Sequence, residues 1–390
     1  MDLKKKIDHL HIIRGVASLL VVFYHARFIL WCGGTEYFHS NHGTAEKAIT
    51  FSLMTFFSSG EQMVMCFFVL SGFFLKISYE KNKPGQFYYN RFIRIYIPYI
   101  ANSILACGIL YVCLIYINPT LQVPFDPSKE IARRPVAAFH HMTLTNFLKS
   151  MIFLRDKEYI GWNNQYWSLL YEGVFYLTIP LLMFRKKIVL MISALTYLAG
   201  FFYSPKLVIL TYVFNYLLFF QMGIYLHNFM DHSVVERFFV KGKKWLLIGG
   251  LLVTYLIMCA LAIKKYTHVA NLLGGILAIF VILMLYHRST MVVKSRFYKQ
   301  LKKLGDISFS LYLIHVMVLY LIYAVFTRMT GQYIIYKPFY VLAIPLVVAV
   351  SYIFYLLVEK QSLRLKNLRR RDHYKNRDHY KNTCLIENKE

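Results

Sequence analysis

Apolar runs of about twenty residues recur along the chain, each closed by a polar or basic connection. That length is what a helix needs to cross the hydrocarbon core of a bilayer. The pattern predicts about ten such helices, at roughly 12–31, 62–79, 95–117, 165–184, 187–203, 207–227, 244–262, 268–286, 307–327 and 337–357. The second is interrupted by Ser71-Gly72 and the fifth is short. The predicted fold is all-α and polytopic, with one transmembrane domain over residues 1–360 and a polar tail over 361–390. The run beginning at Ile12 is too long for a signal-peptide core and reads as the first span.

Basic residues set the expected orientation. Lys4-Lys5-Lys6, then Lys81, Lys83, Arg91 and Arg94, then Arg185-Lys186-Lys187 fall on alternate connections. The same side takes Arg237, Lys241, Lys243 and Lys244, then Arg288, Lys294, Arg296, Lys299, Lys302 and Lys303, and the tail. With ten spans, the positive-inside rule places both termini in the cytoplasm.

Composition agrees with this pattern. The chain of 390 residues is 57% hydrophobic and 16% charged, with 32 Tyr and 32 Phe, and its mean hydropathy is +0.44. These values exclude an ordinary soluble globule. The net charge of +26 sits in short clusters between apolar runs, so anionic membrane lipids, not nucleic acid, are the expected anionic surface. The six cysteines, Cys32, Cys66, Cys107, Cys113, Cys259 and Cys384, form no CxxC pair and read as small core hydrophobes. No metal is expected.

Two segments differ from the spans. The connection at about 118–164 holds Pro119, Pro124, Pro127, Pro135, His140-His141 and an aromatic stretch, Trp162 to Trp167. It is either an interfacial cover or a resting place for a substrate. In the tail, Arg371–Asn376 (RDHYKN) repeats identically as Arg377–Asn382, which reads as a duplication in a basic segment, surface-bound or disordered, with no catalytic role.

Ionisable groups inside apolar spans are costly and mark function by default. In the first span Arg14 and His25 are eleven residues apart, which returns His25 to within roughly 20° of Arg14 about 16 Å further along the axis. Glu172 lies one or two turns into the fourth span, and its expected depth matches that of His25. In the ninth span Tyr312 and His315 share a face at i, i+3. Trp167, Ser168 and Tyr312 are candidate substrate contacts. Arg91 and Arg94, three apart at the expected start of the third helix, suit either positive-inside anchoring or a bidentate grip on a pyrophosphate, aided by the helix dipole.

Taken in order, Arg14…His25, Phe67-Phe68-Val69-Leu70-Ser71-Gly72-Phe73, Arg91-Phe92-Ile93-Arg94, Trp167-Ser168-Leu169…Glu172 and Ser310-Leu311-Tyr312-Leu313-Ile314-His315 resemble the acyltransferase-3 family. This family comprises integral membrane O-acyltransferases of the O-antigen, Nod-factor and exopolysaccharide type. The resemblance spans about 7–358. It departs at His11-Ile12-Ile13, where the family carries an acidic residue before the arginine, and at Gly60-Glu61, where its glycine is displaced. The resemblance implies transfer of an acyl group, usually acetyl from cytoplasmic acetyl-CoA, to a hydroxyl of an outward-facing glycan or lipid-linked sugar. It also implies Arg14, Arg91 and Arg94 at the donor, His25 as general base or acyl carrier, and Glu172 and His315 orienting it or relaying its proton. Competing expectations are a glycan or lipid exporter, a non-catalytic partner of polymer assembly, and a small-molecule or peptide acceptor.

Overall fold

The computed structural model describes residues 9–30, 34–122, 130–202, 209–288, 296–331 and 338–365. Lys4-Lys5-Lys6, Cys32, Pro124, Pro127, Lys294, Cys384 and the RDHYKN repeat lie outside the described residues. Among those described, every regular element is helical. Helix α1 is Leu10–Leu30, α2 is Gly34–His39, α3 is Thr44–Phe56 and α4 is Gly60–Lys81. Next come α5, Pro84–Val112, running on through a π turn at Cys113–Ile117, then α6, Glu130–His140, and α7, Leu144–Met151. After 3-10 turns at Ile160–Trp162 and Asn164–Tyr166, α8 spans Trp167–Phe184, α9 Lys186–Phe202 and α10 Ile209–Phe229. The remainder are α11, Ser233–Lys241, α12, Lys244–Ile263, α13, Thr267–His287, α14, Arg296–Asp306, α15, Ser308–Thr330, and α16, Ile344–Phe354, prolonged by a π turn at Tyr355–Glu359.

Eight stretches among the described residues are long and apolar enough to cross a membrane. The chain is a multi-pass membrane protein. Helices α9 (17 residues) and α10 (21 residues) occupy the fifth and sixth expected positions without joining those eight. The first is short, and the second carries Asn215, Gln221, His227 and Asn228.

The bundle is built around α4 and α15, whose most apolar stretches are each 72% buried. Helix α4 packs on α1, α10 and α13, and α15 packs on α1, α5 and α16. In lipid the hydrophobic effect does not pull helices together, so close approach rests on small residues. A Cβ on Gly72 would lie 2.1 Å from the Phe220 carbonyl oxygen, and one on Gly223 2.0 Å from that of Val69. The Ser71-Gly72 interruption is therefore where α4 and α10 touch backbone to backbone. At the other margin, Gly15 of α1 and Gly305 of α14 meet in the same way. The periphery is apolar and open: Leu246, Leu252, Val253 and Ile257 of α12, and Met191, Leu195 and Leu198 of α9, are exposed.

Two expectations change here. The third helix begins at Pro84, not near 95, with Lys83 as N-cap and proline at its start. The polar run Gln86 to Asn90 dilutes its hydropathy but is helical, because proline at the first position costs no hydrogen bond. The connection before α8 does not stay at the surface. Residues 160–166 descend between α5 and α15: Asn102 Nδ2 donates to Tyr166 Oη at 2.6 Å and to the Leu313 carbonyl at 3.0 Å. Gln165 Nε2 donates to the same carbonyl at 2.8 Å and to Asn163 Oδ1 at 3.1 Å. Irregular backbone is tolerated at membrane depth only when protein covers it, and Ile160, Gly161, Trp162, Asn163, Gln165 and Tyr166 are all buried.

A candidate catalytic site within the bundle

Helices α1 and α15 bring His25 and His315 together. His315 Nε2 lies 3.2 Å from His25 Nδ1, with ring centroids 4.9 Å apart. Each ring also meets its own helix. His25 Nδ1 is 3.0 Å from the Val21 carbonyl, and His315 Nδ1 is 3.0 Å from the Leu311 carbonyl. A carbonyl only accepts, so each Nδ1 carries a proton and each Nε2 of the neutral rings carries a lone pair. The His315 lone pair then accepts from His25 Nδ1–H, and His25 Nε2 is left as a basic nitrogen. His315 is fully buried and His25 is partly open. The pair therefore has one exit for a proton, through His25.

One turn back along α15, Tyr312 separates this pair from a pocket. Its ring centroid is 6.0 Å from that of His315. Its hydroxyl donates to the Gln165 carbonyl at 2.6 Å and meets Ser168 Oγ at 2.6 Å. The pocket, with about 410 Å³ of empty volume including its mouth, is lined by Arg14, Phe67, Ser71, Ser168, Glu172 and Tyr312, among others. Trp167 is not in this wall. It is partly exposed beside Phe68 and Tyr216, with ring centroids 6.5 and 5.3 Å away.

Glu172 faces the Arg14 end of the bundle. It accepts a hydrogen bond from Ser71 Oγ at 3.3 Å and another from the Tyr176 hydroxyl, and it is a charged neighbour of Arg14. The expected pairing of its carboxylate with His25 is replaced by this one. The buried descent of 160–166 is the reason: α8 starts inside the bundle, so Glu172 sits deeper than its distance along the span implied.

Arg91 and Arg94 also act on Arg14. The Arg91 guanidinium lies 5.1 Å from the centroid of Tyr176 and 5.6 Å from that of Phe87. Because α5 starts at Pro84, both arginines stand two turns or more inside it, and the helix dipole, which fades within the first turn, does not assist them. Arg14 Nε is buried with no hydrogen-bond partner among the described residues.

Sequence reasoning missed Glu359. It is 1% exposed and accepts from the Ser310 backbone N–H at 3.1 Å and from Ser310 Oγ at 2.5 Å, capping the start of α15. Arg94 and Arg14 are its cationic neighbours. A glutamate at the end of an apolar run looks like a flank, and only its packing under α15 separates the two cases. Gln165 and Asn102, which both bind the Leu313 carbonyl, were likewise indistinguishable from ordinary polar neighbours. Their only signal was the unusual Trp162–Trp167 stretch.

Comparison with known families assigns this arrangement. The acyltransferase-3 model, described as an acyltransferase domain, matches residues 7–356. The chain belongs to the acyltransferase-3 family. No curated protein and no solved structure matches it. The match covers every helix described above from α1 to α16, so the histidine pair, the pocket and the arginines all belong to the domain of a membrane acyltransferase.

Proposed function

We propose that this acyltransferase moves an acetyl group from acetyl-CoA to a hydroxyl of a cell-surface polysaccharide or lipid-linked sugar, across or within the bacterial cytoplasmic membrane. The observation that carries the reading is the contact between His25 and His315, each with its Nδ1 at a helix carbonyl, an order that suits a lone pair on His25 Nε2. A sugar hydroxyl is a poor nucleophile, and a positioned base is worth about 10²–10⁴-fold in rate.

His25 Nε2 takes the proton of the acceptor hydroxyl as its oxygen attacks the thioester carbonyl. The new C–O bond forms, the C–S bond breaks, and the departing CoA thiolate recovers the proton from His25 Nε2–H. His315 Nε2 accepts from His25 Nδ1–H throughout, holding the tautomer and supporting the transient imidazolium. At the other end, Arg14, Arg91 and Arg94 gather with the carboxylates of Glu172, Glu359 and Asp306. The clustered guanidiniums, with Arg14 Nε unpaired among the described residues, suit the phosphates of CoA, which enter from the cytoplasm if the basic connections face it. Ser168 and Tyr312 border the space between donor and base, and Trp167 stands beside it.

Proton NMR of the producing strain's surface glycan tests this, comparing wild type with His25→Ala at matched membrane levels. Loss of acetyl signals in the variant is the expected result. Normal acetylation with normal glycan export removes His25 from catalysis, and glycan trapped unmodified in both strains points to an exporter.

A further inference from the structure

We propose that Glu61, at the His25 end of α4, is the carboxylate that binds the acceptor, taking hydroxyl hydrogen bonds from the sugar unit to be acylated, with Tyr216 and Trp167 supporting the ring. This rests on the acyl-transfer reading above and names its acceptor subsite.

Glu61 is a carboxyl group without a basic partner among the described residues. It is the second residue of α4, at the edge of a stretch long and apolar enough to cross a membrane, where a carboxylate is costly and is normally paired. Among the described residues its one hydrogen-bond partner is an amide, Asn271 Nδ2, which donates to Oε1 at 2.7 Å. Asn271 is itself fixed, since its Oδ1 accepts from Gln62 Nε2 at 2.8 Å. Gln62 and Asn271 are 2% and 5% exposed, whereas Glu61 is only partly buried. A purely structural clamp between α4 and α13 needs no charge, because a glutamine at 61 closes the same chain of amides. The rigid, buried pair instead presents a carboxylate with its second oxygen free, beside the buried and unpartnered Gln62 Oε1.

The surroundings suit a sugar. Tyr24, Tyr197 and Tyr216 are the ionisable neighbours of Glu61. Tyr216 forms a cluster with Trp167 and Tyr171, at centroid distances of 5.3 and 4.6 Å, and all three are partly exposed. Aromatic rings offer flat apolar support, and a carboxylate takes hydroxyl donors. Together they match a molecule with an apolar face and a polar rim. The subsite also adjoins the chemistry on both sides. The Tyr24 ring packs on Gly60, next to Glu61, and makes an edge contact with His25 at 5.3 Å. Trp167 is followed directly by Ser168 of the pocket wall.

The test uses full-length protein in proteoliposomes, acetyl-CoA, and the producing strain's own surface glycan stripped of esters by mild base, with CoA release as the readout. Losing a hydrogen bond to a charged group predicts that Glu61→Gln raises KM for the glycan roughly tenfold to a hundredfold while KM for acetyl-CoA stays put. Tyr216→Leu is the second variant and moves the same constant in the same direction. Unfolding temperature and elution volume in detergent identify a variant that fails to fold. Glycan KM values equal to wild type in both folded variants overturn the subsite. Wild-type protein that releases no CoA when the glycan is added overturns the acyl-transfer reading instead.

Discussion

At the level of single residues, hydrogen-bond direction decides more than proximity does. Two histidines 3.2 Å apart can pass a proton either way. The Val21 and Leu311 carbonyls remove that freedom, because each demands an N–H from the nearer ring nitrogen. His315 is therefore a positioning residue that acts through His25, and substitutions should rank accordingly. His25→Ala should lose about 10²–10⁴-fold in turnover. His315→Gln retains an acceptor for His25 Nδ1–H and should keep more activity than His315→Leu, which retains none. Steady-state CoA release from the purified variants measures the order. Equal activity of the Gln and Leu variants would remove the accepting role from His315. The same reasoning accounts for Glu172, whose bonds from Ser71 and Tyr176 hold it beside Arg14.

At the level of helices, the motif that looks chemical is partly mechanical. In Phe67–Phe73, Ser71 serves the site through Glu172, whereas Gly72 serves the α4–α10 crossing. Adding a methyl group at Gly72 drives it into the Phe220 carbonyl, a backbone atom that cannot swing away. Gly72→Ala should destabilise the bundle by about 1–3 kcal/mol, the usual cost of overpacking. Gly250→Ala, where nothing lies within 4 Å, should be silent. Thermal unfolding in detergent distinguishes the two. The descending segment 160–166 is held by Asn102 and Gln165 on one carbonyl, that of Leu313, two residues before His315. This element links Tyr312 of the pocket wall, which donates to the Gln165 carbonyl, to the placement of the histidine pair.

For the whole molecule, the charge pattern and the bundle describe one orientation. Arg14, Arg91, Arg94 and the exposed Lys299, Lys302 and Lys303 of α14 gather at the end of the bundle where α1 begins. His25, Gly60 and Glu61 gather at the other. By the positive-inside rule the first end is the one expected in the cytoplasm. A green fluorescent protein fused after Glu390 should therefore fluoresce, and alkaline phosphatase at the same site should be inactive. The reverse pair of results would invert the proposed path of the acyl group.

Apart from the start of α5, eleven residues early, and that of α16, seven residues late, the apolar runs placed helices to within a few residues, because a bilayer imposes the same length on every span. They also singled out Arg14, His25, Glu172 and His315, because a charge or an imidazole in such a run stands out against its neighbours. Which of these groups meet was not legible. Periodicity gives the face of one helix and says nothing about its depth against another. The depth of α8 depends on seven irregular residues, 160–166, whose burial rests on side chains from α5. Glu359 and Glu61 illustrate the same limit. Both are glutamates at the edge of an apolar run, and only folding against α15 and α13 gives one a capping role and leaves the other with a free oxygen. Local hydrophobicity governs insertion, and partnership between polar groups is settled where helices from distant parts of the chain come into contact.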